Sequence, residues 1–241
     1  MRLDQYLAEK GLCKSRTAAQ SLIKSGGVSV NGAVCNKPSC DVSEDDNIII
    51  IGEQLKYVGR GGLKLEGAVN AFGIELSGHV CLDIGSSTGG FTDCMLQNGA
   101  ARVYAVDVGT DQLDAKLRAD IRVVVMEQTD IRTAQLPEQV DFVGTDVSFI
   151  SLKQVTPHIS RLLKLHGRAV ALIKPQFEAG RQALNKKGIV KDEKVRRRVV
   201  EDITQFAQQC GFVVLGVTDS PVQGGDGNTE YLMYIEKAAE L

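Results

Sequence analysis

Nowhere in its 241 residues does the chain approach the roughly 18 to 20 apolar residues in a row that a membrane-spanning helix needs. The N-terminus lacks the basic flank, apolar core and small-residue cleavage site of a secretory signal, so a soluble, cytoplasmic protein without a membrane partner is expected. No Cys-x-x-Cys unit occurs among the six cysteines, Cys13, Cys35, Cys40, Cys81, Cys94 and Cys210. All six are expected to be reduced structural thiols, because disulfides are rare in the cytosol. No charge dominates either: a net charge of −2 argues against a protein that coats nucleic acid indiscriminately. Internal repeats, low-complexity tracts and the Gly-x-Gly-x-x-Gly fingerprint of dinucleotide sites are also missing.

The apolar fraction of 43% supports a real core, and the length suits one medium α/β domain with a small appendage. Charge is locally uneven. Residues 1–40 carry Arg2, Lys10, Lys14, Arg16, Lys24 and Lys37 against only Asp4 and Glu9, and a second basic run lies between Lys186 and Arg198. Leu3, Tyr6 and Leu7 share a helical face that Gly11 should end. Ser15 is placed to cap a second helix with Ala18, Ala19, Leu22 and Ile23 inward. Residues 28–34 read as a hairpin whose Asn31-Gly32 pair suits a type I′ turn, and the apolar run 48–51 closes a small α+β unit near residue 52. A glycine-bearing linker is expected over 53–62 and a large domain over 63–241.

In the large domain, helix and strand patterns alternate. Strands are expected near 79–84, 102–107, 122–126, 140–146, 168–174, 213–218 and 229–236, and helices near 63–72, 89–98, 111–118, 150–165 and 192–210. Runs such as 169–173 are continuously apolar, as strands of a parallel sheet covered on both faces should be. The fold class is therefore α/β, a doubly wound, Rossmann-like sheet of about seven strands. Its last two strands, joined by a connection containing Gly224 to Gly227, fit an antiparallel hairpin at one end.

After the first of these strands, Asp83-x-Gly85-x-x-x-Gly89-Gly90 leads into a helix, so a ligand would sit beyond the strand's carboxyl end. A zwitterionic amino-acid tail suits this turn better than two phosphates. Asp107, ending the next strand, can accept from ribose hydroxyls, and Asp130, after the third, from an exocyclic amine. Strand-end caps would account for any one of these acids. The ordered set, with Ser86 and Phe91 in the turn, resembles the S-adenosylmethionine-dependent methyltransferases.

Lys64 opens a helix, Asp146 and Lys174 end strands, and Glu230 opens the last strand, so all four can converge on the cofactor side. An ammonium at the end of an apolar strand pays a desolvation cost unless its pKa falls or a carboxylate pairs with it. Lys174 is expected to take the proton of a ribose hydroxyl near neutral pH. Lys64 would then stabilise the developing alkoxide, with Asp146 and Glu230 orienting the amines. The plainer alternative is two separate ion pairs, Lys64 with Glu230 and Lys174 with Asp146. Lys56 and Lys164 are expected to be solvated. The segment 175–191, with Arg181, Lys186 and Lys187, is expected to form a substrate lid.

These motifs resemble the TlyA-type, hemolysin-A-like RNA 2′-O-methyltransferases over essentially the whole chain, and the large domain resembles the FtsJ ribose methyltransferases. Arg2-Leu3-Asp4-x-x-Leu7, Ser15-Arg16, Ile23-x-x-Gly26 and Val28-x-Val30-Asn31-Gly32 are similar to the S-four RNA-binding domain. The resemblance implies a Lys64/Asp146/Lys174/Glu230 tetrad and S-adenosylmethionine held by Asp83, Gly85, Ser86, Gly89, Gly90, Phe91, Asp107, Asp130 and Asp146. It also implies RNA contacts at Arg2, Lys14, Arg16, Lys24 and Asn31, with cytidine in ribosomal RNA or ribosomal subunits as substrate. Three rivals stand beside it: a nicotinamide dehydrogenase, a base methyltransferase, and a noncatalytic assembly factor that keeps the pocket. The hemolysin label finds no membrane-seeking segment to support it.

Overall fold

The computed structural model describes the chain except for residues 14, 25, 51–55, 225–226 and 239–241. It divides into two compact units, Met1–Lys56 and Tyr57–Leu241.

In the first unit, helices α1 (Leu3–Glu9) and α2 (Arg16–Lys24) precede strands β1 (Val28–Val30), β2 (Ala33–Val34) and β3 (Ile48–Ile50). The expected punctuation is there: Gly11 takes φ 69° just beyond α1, and Ser15 Oγ accepts from the Ala18 amide at 3.2 Å. Asn31 and Gly32 both have positive φ, 52° and 83°, as a type I′ turn requires. β1 pairs antiparallel with β2 and β3, and Leu3, Leu7, Ala19, Ile23, Val28 and Val42 form the core. Ala18 is exposed, contrary to expectation, because this short helix buries only the stripe through Ala19 and Ile23. No disulfide joins any of the six cysteines among the described residues.

The second unit runs α3 (Gly61–Phe72), β4 (Val80–Ile84), α4 (Gly90–Gln97), β5 (Arg102–Val106), α5 (Ala115–Arg118), β6 (Val123–Met126), β7 (Val140–Thr145), α6 (Leu152–Leu162), β8 (Leu163–Ile173), α7 (Pro175–Glu178), α8 (Glu193–Gln209), β9 (Phe212–Asp219) and β10 (Tyr231–Lys237). The sheet order is β6-β5-β4-β7-β8-β10-β9, parallel as far as β8, with β10 antiparallel to both neighbours. β9 and β10 form the expected antiparallel pair, and Gly225 and Asp226 of their connection lie outside the described residues.

Along β8, Ala169, Ala171 and Ile173 pack on the α6 and α8 side, while Val170 and Leu172 pack on the α3 and α4 side. Every side chain of the run is thus buried, at about 1.5–3 kcal/mol for each Val, Leu or Ile, which makes the strand end a rigid mount. Of the linker expected over 53–62, the part from Tyr57 onward packs into the second unit. Residues 53–55 lie outside the described set, whereas Tyr57 is buried, the Val58 amide donates to Asp93, and α3 starts at Gly61. Among the described residues no helix is long and apolar enough to cross a membrane.

Candidate active site

Two strand registers set the site. Ile84 of β4 pairs with Thr145 of β7, and Ile173 of β8 pairs with Tyr231 of β10. Because β10 runs antiparallel to β8, its first residues lie beside the end of β8. Glu230, just before β10, is therefore brought to Lys174, just after β8, and to Asp146, just after β7. Lys64, in the first turn of α3, completes the group. Lys64 Nζ lies 2.8 Å from Glu230 Oε2 and 3.4 Å from Asp146 Oδ2, and Lys174 Nζ lies 2.6 Å from Asp146 Oδ1.

The two ion pairs of the plainer alternative exist, but Asp146 joins them into one chain. None of the four side chains is more than 17% exposed. Burying an ion costs several kcal/mol, and two carboxylates set against the two lysines offset that cost here. Ser148 Oγ accepts from Lys174 Nζ at 3.0 Å, and Gln176 Nε2 donates to Glu230 Oε1 at 2.9 Å. Sequence reasoning missed both, although each lies two residues beyond a tetrad member. Lys164, expected to be solvated, pairs with Asp141 at 2.6 Å. At the rim, Phe149 is 91% exposed with φ 64°, its ring 5.0 Å from that of Phe177.

The glycines of the turn do more than admit a ligand. A Cβ on Gly85 would lie 2.7 Å from the Asp146 carbonyl, and one on Gly90 would lie 2.7 Å from the Gly62 amide nitrogen. Gly85 thus lets β4 turn against the Asp146 backbone, and Gly90 seats α4 on the start of α3, which carries Lys64. Gly89, at φ 97°, leaves room for Leu113 and Leu117. Phe91 is buried in the core, its ring against Gly144, so its side chain is a packing element and not a wall of the cradle. Asp107 accepts from the Ser87 amide at 2.8 Å and the Gly109 amide at 2.7 Å, which ties the turn to the end of β5. The Asp130 carboxylate is gripped by Arg132 at 2.6 Å, and that hydrogen bond pulls its pKa down to about 2.

Residues 57–237 match the FtsJ-like methyltransferase family, and residues 1–48 match the S4 domain. The chain belongs to the FtsJ-like methyltransferases. YqxC of Bacillus subtilis is 46% identical over 99% of this chain and 86% of its own. The 16S/23S rRNA (cytidine-2′-O)-methyltransferase TlyA of Mycobacterium tuberculosis is 41% identical over 97% of this chain and 89% of its own. A solved structure of a hemolysin-named protein from Streptococcus thermophilus, 44% identical, aligns with a TM-score of 0.80 over 100% of this chain and 89% of its own.

Three buried polar atoms lie at the end of β4, in the turn and at the end of β7. Asp83 Oδ1, Ser86 Oγ and Thr145 Oγ1 are buried without a hydrogen-bond partner among the described residues. Each such group costs about 1–3 kcal/mol until a polar ligand meets it, which fits an amino-acid and ribose-bearing cofactor. The other Asp83 oxygen accepts from the Thr92 amide at 2.9 Å and the Thr92 hydroxyl at 2.6 Å, fixing the start of α4.

Burial pushes the Asp83 carboxyl up to about 7, against the pull of those bonds and helped by the charges of Asp146 and Asp107. In the unfolded chain its pKa is about 3.9. Between these values the native state holds a proton that the unfolded state lacks, so this group's contribution to stability falls as pH rises from about 4 to about 7 and is level above. Asp83→Asn is expected to flatten that window by about 4 kcal/mol at most, read as the difference between urea-unfolding free energies of variant and wild type. Parallel pH curves for the two proteins would contradict the assignment.

In the S4 unit, Asp4 is fully buried and gathers Arg2 at 2.9 Å, Arg16 at 3.1 Å and Gln20 at 2.7 Å. The Arg2 hydrogen bond chiefly holds its carboxyl well below the usual carboxylate range. Both guanidinium groups are about half-exposed and fixed in orientation. Lys24 is exposed, and Lys14 lies outside the described residues. The Asn31 side chain is spent within the fold, donating to Asp46 at 2.7 Å and accepting from the Asn47 amide at 2.9 Å.

Proposed function

We propose that the chain methylates a ribose 2′-hydroxyl of ribosomal RNA, with cytidine as the acceptor nucleotide and S-adenosylmethionine as the donor. The continuous Lys174–Asp146–Lys64–Glu230 network, at the carboxyl ends of β7 and β8 beside the glycine-rich turn, carries the reading. The likeness to relatives such as TlyA supports the substrate class.

Bound S-adenosylmethionine supplies an electrophilic methyl group on sulfonium. Asp83, Ser86, Asp146 and the backbone of the 85–90 turn would hold its amino-acid end, Asp107 its ribose hydroxyls, and Asp130 its adenine amine. Lys174, in its amine form, takes the proton of the ribose hydroxyl, and Asp146 and Ser148 aim that amine. Lys64 stays charged and stabilises the oxygen as it becomes anionic. Glu230 fixes Lys64 and is itself fixed by Gln176. The exposed Phe149 ring suits a nucleobase turned out of its stack. Arg2, Arg16 and Lys24 of the S4 unit suit phosphate contacts that give affinity without choosing a sequence.

The test is to incubate the purified chain with methyl-labelled donor and ribosomal RNA, then digest the RNA to nucleosides. Label in 2′-O-methylcytidine is expected. Label on a base, or RNA binding without label, would favour a base methyltransferase or a noncatalytic assembly factor instead.

A further inference from the structure

The segment that follows Lys174 ends in a built turn. The Asn185 side chain accepts from the Lys187 amide at 2.8 Å and the Ile189 amide at 3.0 Å, while the Gly188 amide donates to the Asn185 carbonyl at 2.9 Å. Gly188 takes φ 72°, and Lys186 and Lys187 stand exposed at the tip. Neither ammonium has an acidic partner among the described residues. Between positions 181 and 198 there are eight Lys and Arg against two Asp and Glu, in a chain whose net charge is −2.

The turn is tied to the catalytic edge through Asn228, which is only 2% exposed. Its Nδ2 donates to the Gly188 carbonyl at 3.1 Å, and its Oδ1 accepts from the Val190 amide at 3.1 Å. Arg196 holds the far side, donating to the carbonyls of Val190 at 3.1 Å and Lys191 at 2.7 Å. Asn228 lies two residues before Glu230 on the same chain, so one short backbone stretch fixes both the lysine turn and the tetrad.

We propose that the 185–189 turn binds phosphates of the RNA strand whose ribose enters the tetrad, and that Asn228 is the positioning residue that keeps this clamp in register with Glu230. Two unpaired ammonium groups on a locked turn suit a polyanionic backbone. Ordering them beforehand removes much of the entropy that flexible lysines would lose on binding. The proposal rests on the RNA-ribose reading above and adds the place where the substrate backbone is gripped.

Lys186→Ala/Lys187→Ala is expected to weaken RNA binding by the full-length chain about tenfold near physiological salt. The slope of log affinity against log salt should become shallower by about 1.4, for two contacts to single-stranded RNA. Cofactor affinity and the thermal midpoint should stay at wild-type values, since both side chains are exposed. In an Asn228→Ala background the same lysine substitutions should cost no more than about twofold, because the turn is no longer held. Should Asn228→Ala fail to fold, Asn228→Asp keeps the acceptor for Val190 and sets a charged oxygen in place of the donor to Gly188, releasing that side of the turn. Unchanged RNA affinity and salt slope in the lysine variant would overturn the clamp, and an undiminished lysine effect beside an altered Asn228 would overturn the coupling. If the wild-type chain methylates no RNA ribose in parallel, the functional reading fails instead of this one.

Discussion

Lys174→Ala is expected to slow single-turnover methyl transfer about 10³-fold, mid-range for loss of a general base, while leaving cofactor affinity within about threefold. The separation follows from placement. Lys174 is itself no part of the cradle and meets it only through Asp146 at 2.6 Å, whereas Asp83, Ser86 and Thr145 carry unpartnered polar atoms that its loss leaves in place. Asp107→Ala should show the opposite pattern, weakening the cofactor first, because Asp107 ties the turn to β5 through the Ser87 amide. Rapid-quench kinetics with ribosomal RNA and calorimetry with the cofactor read the two quantities independently. Transfer at an undiminished rate in Lys174→Ala would remove Lys174 from the proton's path.

The second large effect is on stability. Glu230→Ala should cost about 3–5 kcal/mol of unfolding free energy, the range for removing one partner of a buried ion pair. Glu230 is 2% exposed and faces Lys64 at 2.8 Å, so its loss leaves Lys64 with only the 3.4 Å contact to Asp146 and strips Gln176 of its acceptor. Removing both charges should undo much of this. Lys64→Met/Glu230→Leu keeps the volume and leaves Lys174 paired with Asp146, so denaturant midpoints should return toward wild type. Methyl transfer should not return, because Lys64, the charge assigned to the ribose oxygen, is gone. A double variant that is stable and active would show that this pair serves the fold alone.

Most of the sheet was legible because its signal is local. A run such as Ala169 to Ile173 must be buried on both faces, and an acid or lysine at its end must face whatever lies beyond the strand. The elements that were missed depend on partners distant in sequence. A helix was expected over 111–118, yet Glu127 captures the amides of Asp111, Gln112 and Leu113, and only Ala115–Arg118 is helical. The helix expected to reach 165 stops at Leu162 because Leu163 turns extended and pairs with Val140. The brief helix Pro175–Glu178 has no periodic signal of its own. Its Glu178 accepts from the Ser151 hydroxyl and the Leu152 amide, anchoring the start of α6.

The site divides in the same way. Lys64, Asp146, Lys174 and Glu230 could be read from their positions at element ends, and the structure joins them. Ser148, Gln176 and Asn228 could not, since a hydroxyl or an amide carries no signal until its partner is known. By sequence the turn glycines signify room for a ligand. Their crowding against Asp146 and Gly62 reveals a second duty, bringing the tetrad's own elements together.

The most direct measurement is a structure of the full chain with S-adenosylhomocysteine and a ribosomal RNA fragment bound. The 2′ oxygen of the acceptor cytidine should lie about 2.6–3.2 Å from Lys174 Nζ, with Lys64 still held by Glu230. A 2′ oxygen far from Lys174, with another side chain or a base atom facing the sulfur instead, would contradict the proposed chemistry.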